Sequence, residues 1–178
     1  NLHDNYKKGD VSGWAIQQIK KKGLRDLGAS LGPEAAHHIS VGSDTLALRM
    51  DRICENAQRL AEYLDGHEKV REVYYPGLSG HPEHDRSASL FGRHGGIFSI
   101  ELVDDVDCFD FINKLDLVIC SSNLGDTRSL AIPVAHSIYF EMGAERRASM
   151  GIDESLVRFS VGIEELDDLL ADFEQALA

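Results

Sequence analysis

The chain has 178 residues, 43% of them hydrophobic and 27% charged, an ordinary balance for a globular protein with one real core. A net charge of −12 excludes the basic patch that nucleic acid or an anionic membrane surface needs, so neither is expected as a partner. No apolar stretch reaches bilayer length, no signal peptide is visible, and Cys54, Cys108 and Cys120 form no disulfide or metal pattern, so a reducing cytoplasm is expected.

Residues 1–13 are polar and read as a lead-in or a piece of a preceding domain. Trp14, Ile16, Ile19 and Leu24 space a short amphipathic helix over 13–27, with Lys20, Lys21 and Lys22 on its solvated face. Gly28 and Gly32-Pro33 break it. Pro33 and Glu34 open another helix with Ala35, Ala36 and Ile39 on its buried side. The strongest helix follows, capped by Ser43 or Asp44, and its stripe runs through Leu46, Met50, Ile53, Cys54, Ala57, Leu60, Ala61 and Leu64. Arg49, Arg52, Glu55, Asn56, Arg59 and Glu62 are expected on its polar side.

Strands are expected at 70–75, ended by Pro76-Gly77, and at 97–103, where Phe98, Ile100 and Leu102 share a face. Between them lies a loop with one short helix near 85–91. Its His81, His84 and Asp85, with Pro82 inside the spacing, read as surface and not as a metal site; no metal is expected. Asp104 or Asp105 caps a helix bearing Val106, Phe109, Ile112 and Leu115. Residues 117–120 and 129–132 are short strands, the second stopped by Pro133, and they flank the polar loop 121–126. Backbone N–H groups near Gly125 are candidates to face an anion, and Cys120 beside them reads as buried and inert. Residues 134–143 show no pattern; 144–150 read as a helix closed by Gly151. Strands alternating with helices predict an α/β (or α+β) layer, one sheet covered on one face.

The last quarter carries the sharpest signal. Val157, Phe159 and Val161 alternate with Arg158 and Ser160, so one strand face is apolar and the other bears an arginine and a hydroxyl. After Gly162 the period becomes helical. Leu166, Leu169, Leu170, Phe173 and Leu177 form one face, and Glu165, Asp167, Asp168, Asp172 and Glu174 the other. A strand-borne arginine can clamp a carboxylate bidentately, or form a plain structural salt bridge.

The 156–165 stretch resembles the C-terminal signature of the Cys/Met-metabolism family of pyridoxal-phosphate enzymes: cystathionine γ-synthases and lyases, methionine γ-lyases and O-acyl-homoserine sulfhydrylases. Further matches are collinear. Asn123-Leu124-Gly125-Asp126-Thr127-Arg128-Ser129-Leu130 resembles the family's Ser-Leu-Gly-[Gly/Asp]-x-x-[Ser/Thr]-Leu segment, and Asp44-Thr45-Leu46-Ala47-Leu48-Arg49-Met50 its Lys-Thr-Leu-x-Leu-Arg-Met helix opening. Tyr75-Pro76-Gly77-Leu78 with His81-Pro82, and Gly95-Gly96-Ile97-Phe98-Ser99, match two more of its elements. Two positions depart. Asn123 replaces the usual serine, as is frequent in the sulfhydrylase branch. Pro133-Val134-Ala135-His136-Ser137-Ile138-Tyr139 stands where the family has His-Pro-Ala-Ser-x-Thr-His, so no role is carried over to His136.

The resemblance implies the C-terminal small domain of a fold-type I transferase, a sheet of about four to five strands covered by helices and preceded by a long interdomain helix. Residues 1–42 would be the tail of the large, cofactor-binding domain, and 43–178 the small domain with helix 44–65. It implies that Arg158 binds the α-carboxylate of a small amino-acid substrate, and that Ser122, Asn123 and Leu124 line the same site. Pyridoxal 5′-phosphate is implied as cofactor of the intact enzyme. Its Schiff-base lysine, in a Ser-x-x-Lys-type segment, has no counterpart here, so this chain alone is expected to be inactive and to need an N-terminal cofactor-binding domain. The family's assemblies imply a homo-oligomer, dimer or tetramer. Asn123 favours γ-replacement on a homoserine ester over elimination. The competing reading is a stand-alone, non-catalytic module that binds an amino acid through Arg158.

Overall fold

In the computed structural model, which describes residues 9–25, 28 and 30–178, the chain separates into two units, Asn1–Thr45 and Leu46–Ala178. The first unit is helical. A 3₁₀ turn (Val11–Gly13), α1 (Trp14–Gln18) and a π-type stretch (Ile19–Leu24) follow one another, and Asp10 caps them by accepting the Ser12 N–H at 2.7 Å. Residues 26 and 27 of the expected helix, and 1–8 of the lead-in, lie outside the described residues. Helix α2 (Pro33–Asp44) starts on its proline as expected. Its expected buried side is exposed instead: Ala35, Ala36 and Ile39 all face solvent, and no residue of α2 is buried. Proline and alanine favour a helix locally, but burial needs a packed partner, and no described residue of this unit is buried.

The second unit opens with α3 (Leu46–Asp65). Ser43 and Asp44 do not cap it. They end α2, and Thr45 alone separates the two helices. The stripe from Ile53 to Leu64 is buried as its spacing requires, but Leu46 and Met50 are exposed, and Asn56, expected outside, is 1% exposed. Five strands form one sheet in the order β1 (Val70–Tyr74), β2 (Ile97–Leu102), β5 (Leu156–Ser160), β4 (Leu130–Pro133), β3 (Ile119–Cys120). Only β3 and β4 run parallel. Pro133 sits inside β4 opposite Val157 and does not stop the strand before it. Helix α4 (His84–Leu90) interrupts the loop between β1 and β2, α5 (Cys108–Lys114) follows β2, α6 (Ala144–Ser149) precedes β5, and α7 (Leu166–Leu177) closes the chain. Among the described residues, no helix is long and apolar enough to cross a membrane.

Helices α3, α5 and α7 pack on one face of the sheet. Strand alternation sends Phe98, Ile100, Leu102, Val157 and Phe159 into that layer. Phe159 is its centre, with ring centroids 5.1 Å from Phe98, 5.0 Å from Phe173 and 6.3 Å from Phe111. The cap of α5 is Asp107, which accepts from Phe109 N and Asp110 N at 2.8 and 3.0 Å, and not Asp104 or Asp105. That choice sets the helix so that Cys108, Phe111 and Ile112 point inward while Phe109 is exposed.

Asp172, expected on the polar face of α7, is 5% exposed. Its carboxylate accepts from the backbone N–H groups of Asp116, Leu117 and Val118 at 2.7, 3.0 and 3.2 Å. It therefore holds the turn that launches β3. Replacing Asp172 with Ala orphans three donors, and we expect a loss of about 2 kcal/mol of stability, since each buried unpaired group carries a desolvation cost. Urea unfolding monitored by circular dichroism checks it: an unchanged midpoint would contradict the role.

Candidate functional site: the open face of the sheet

The face away from the helices carries a row of polar side chains. Antiparallel register sets Tyr74, Ser99, Arg158 and Ile132 side by side on β1, β2, β5 and β4. The alternation that buries Val157 and Phe159 fixes Arg158 on the opposite side, in the middle of the sheet.

The turn after β5 is tied down from three directions. Asn56 on α3 donates through Nδ2 to the carbonyls of Gly162 and Glu164, at 3.2 and 2.9 Å. The Glu164 carboxylate accepts from Ser129 N at 2.6 Å and Ser129 Oγ at 2.9 Å, while Gly162 N donates to Ser129 Oγ at 2.9 Å. A side chain at Gly162 would collide with the Thr127 carbonyl, so the strand and the 127–129 segment can approach this closely only at a glycine. Ile163 N donates to Thr127 O at 2.9 Å, and Gly125 N donates to Ser160 Oγ at 3.0 Å. The loop 121–129 is thus stitched along β5. The Gly125 N–H, expected to face an anion, is spent on this stitching.

Within the loop, Arg128 clasps Asp126 through Nε and Nη2 at 3.2 and 3.1 Å. Hydrogen bonds from the Arg128 side chain, then from its backbone, hold the Asp126 carboxyl down at about 2. The pair remains ionised at any physiological pH and consumes the charge of Arg128 inside the loop.

Arg158 is half-buried. Its Nη2 donates to the Ser122 carbonyl at 2.9 Å, and its Nε is buried without a partner. A guanidinium anchored through Nη2 to one carbonyl still has the N–H groups at its open end for an acceptor, and a carboxylate matches that fork. Beside it lies a cleft of ≈ 470 Å³ between β1, β2 and the segments 134–139 and 150–156. Ser99 and Tyr74 line it with Arg158. Tyr74 Oη donates to Glu101 Oε1 at 2.7 Å; burial, then that bond, pushes the hydroxyl up to about 12, so it stays protonated.

Of the four expected site residues, Arg158 and Ser122 meet directly. Asn123 and Leu124 are exposed farther along the loop, and neither lines the cleft. Ser99, Ile138 and Met150 line it without having been singled out for the site. Ser99 was recoverable in part: alternation with Phe98 and Ile100 puts it on the polar face of its strand, while its place across from Arg158 comes from the pairing of β2 with β5. The 134–143 segment, with no periodicity, gave no such signal. His136 turns away from the cleft: its ring lies 4.9 Å from Phe109, and its Nε2 is 2.9 Å from the Glu154 carbonyl. Cys120, expected buried, is exposed, because β3 is a two-residue strand at the sheet edge. His84 Nδ1 bonds the Pro76 carbonyl at 2.9 Å and its ring stacks on His94, which makes it a loop staple.

A family model for Cys/Met metabolism PLP-dependent enzymes matches residues 7–178. The chain is 42% identical over 164 residues to L-methionine gamma-lyase of Pseudomonas putida, covering 91% of this chain and 41% of that protein. It is 39% identical over 165 residues to O-acetyl-L-homoserine sulfhydrylase 1 of Thermus thermophilus, covering 92% of this chain and 39% of that protein. The crystal structure of cystathionine gamma synthase from Xanthomonas oryzae pv. oryzae in complex with cystathionine superposes with a TM-score of 0.83 at 34% identity, covering 94% of this chain and 43% of that one. The chain thus spans about two fifths of the length of these relatives.

Pyridoxal phosphate is the cofactor of this family. Among the described residues no lysine lines the Arg158 cleft; Lys69 pairs with Asp105 at 3.0 Å, and Lys114 donates to the Ala178 carbonyl at 3.2 Å. By sequence, by fold and by the match over 7–178, the chain belongs to the Cys/Met metabolism family of pyridoxal-phosphate-dependent enzymes.

Proposed function

We propose that this chain is the C-terminal, substrate-recognising part of a pyridoxal-phosphate enzyme of sulfur amino-acid metabolism, acting on a homoserine ester or a cystathionine-type substrate. The observation that carries the reading is Arg158: central in the sheet, on the open face, anchored to Ser122 O and with a buried, unpartnered Nε. Arg158 holds the substrate α-carboxylate. Ser122, whose carbonyl holds Arg158, and Asn123 and Leu124, which follow it in the loop, are the further substrate contacts, and the apolar walls of the cleft take the rest of the molecule. Cofactor chemistry belongs to an N-terminal domain, with residues 1–42 as its tail and 43–178 as the small domain. Asn123 favours γ-replacement, in which a thiol or sulfide enters a homoserine ester. A cytoplasmic homo-oligomer, dimer or tetramer, goes with this reading. A stand-alone binding module gains no support from the relatives, which are enzymes.

Two results are expected. Pyridoxal phosphate added to this chain alone gives no new visible absorption band, because its lysine lies elsewhere; a stable band would overturn the division of labour. The full-length protein turns over an O-acyl-homoserine with a thiol or sulfide faster than it eliminates from methionine, measured side by side; the reverse ratio would remove the γ-replacement assignment.

A further inference from the structure

Resting on the role proposed for Arg158, we infer that Ser160 is a positioning residue for substrate binding: its hydroxyl holds the loop 121–126 against β5 so that the Ser122 carbonyl meets the Arg158 guanidinium. Ser160 lies two positions after Arg158 on β5, so the period of two puts both side chains on the open face. Arg158 is half-buried there, yet Ser160 is only 3% exposed. Its Oγ accepts from Gly125 N at 3.0 Å, which brings the loop over it. A serine is a poor filler for a covered strand position between Ile97 and Leu130, its partners on β2 and β4. Burial strips water from the hydroxyl, and the bond from Gly125 N–H offsets that cost. Gly125 has a φ of +75°, a conformation that favours glycine, and in it the N–H reaches Ser160.

The loop is fixed at both ends. Ser121 N donates to Ala131 O at 3.0 Å, and Thr127 O accepts from Ile163 N at 2.9 Å. The bonds of Asn123 N to Ser121 Oγ and of Arg128 to Asp126 stay within the segment. Among the described residues, the stretch 122–126 is therefore tied to β5 by two hydrogen bonds, Gly125 N to Ser160 Oγ and Arg158 Nη2 to Ser122 O. Without the first, the Ser122 carbonyl is held to β5 by Arg158 alone, and the two can shift together. The guanidinium would then be ordered only when a carboxylate arrives, and that ordering weakens binding. Ser160 acts through Arg158 and not on the substrate itself. The bonds of Ser129 to Glu164 and Gly162 hold the base of the loop without it, so the fold does not hinge on this hydroxyl.

The test is a double-mutant cycle in the full-length protein with its cofactor, reading the dissociation constant of L-norleucine by calorimetry. Ser160→Ala should weaken norleucine about tenfold, and the 122–126 amides should exchange faster with deuterated water. In an Arg158→Ala background the same change should move the constant by less than about twofold, because the group through which Ser160 acts is gone. Ser160→Cys puts a weaker acceptor in nearly the same volume; it should fall between, and it carries the same cycle if the alanine protein does not fold. An equal loss in both backgrounds would overturn the positioning role, since Ser160 would then act without Arg158. If the Ser160 variants bind as the parent does while Arg158→Ala weakens norleucine, the positioning role falls and the carboxylate role stands. If Arg158→Ala leaves the constant unchanged, the carboxylate role falls and takes the positioning role with it.

Discussion

Arg158→Ala in the full-length enzyme is expected to raise KM for the amino-acid substrate about 100-fold and to lower kcat/KM by about 10²–10³, the effect of losing a charge-assisted, bidentate contact to the substrate carboxylate. The sheet supplies the reason. Arg158 is held by its strand neighbours, Ser99 on one side and Ile132 on the other, and by the Ser122 carbonyl. Its geometry is therefore set before substrate arrives, and little entropy is lost on binding. Arg158→Lys keeps the charge and loses the fork, so it should recover only part of the affinity. Steady-state kinetics on the three proteins check this. Unchanged constants in the alanine variant would remove Arg158 from the site.

Phe159→Ala, one residue along, is expected to do the opposite. It should cost about 3–5 kcal/mol of stability, the range for deleting a buried aromatic ring, and leave substrate affinity of the surviving folded protein near normal. Phe159 is 1% exposed and touches the rings of Phe98, Phe111 and Phe173, so its removal leaves a hole between β2, α5 and α7. The urea midpoint should drop sharply with little change in slope. A midpoint within experimental error of the parent would mean the helical layer does not depend on this ring. The two variants together separate the faces of β5: one tests the proposed carboxylate contact, the other the core.

That separation was legible in the sequence, because a period of two needs nothing but the strand itself. The long helix, the five strands and the arginine's face all followed from local pattern. What was not legible is burial that depends on distant partners. Asn56 and Asp172 look like surface residues on their helices, since polar residues usually are. Each is buried because backbone groups far away in sequence use it: Gly162 and Glu164 for Asn56, and the 116–118 turn for Asp172. The cap of α5 was ambiguous among Asp104, Asp105 and Asp107, which offer the same chemistry within four positions. The inward sides expected for Ala35, Ala36 and Ile39 failed because helical pattern says which residues share a face, not what covers it.

The site shows the same division. Arg158 and the 121–126 loop stood out by residue type and position. The cleft walls did not, because 134–143 is a run of turns ending in a short 3₁₀ helix (Phe140–Met142), without periodicity. Ile138 and Tyr139 reach the cleft only through the fold of that segment, which Glu154 pins from the other side through Arg147 and His136.

The most direct measurement is a crystal structure of the full-length enzyme with pyridoxal phosphate and an unreactive amino acid such as norleucine. The arrangement of the open face predicts the ligand carboxylate against the Arg158 fork, with two N–H···O contacts of about 2.7–2.9 Å, Nη2 still near Ser122 O, and the side chain running along Ile138 and Met150. A carboxylate bound elsewhere, with Arg158 still resting on Ser122 alone, would contradict the assignment of this face as the substrate wall.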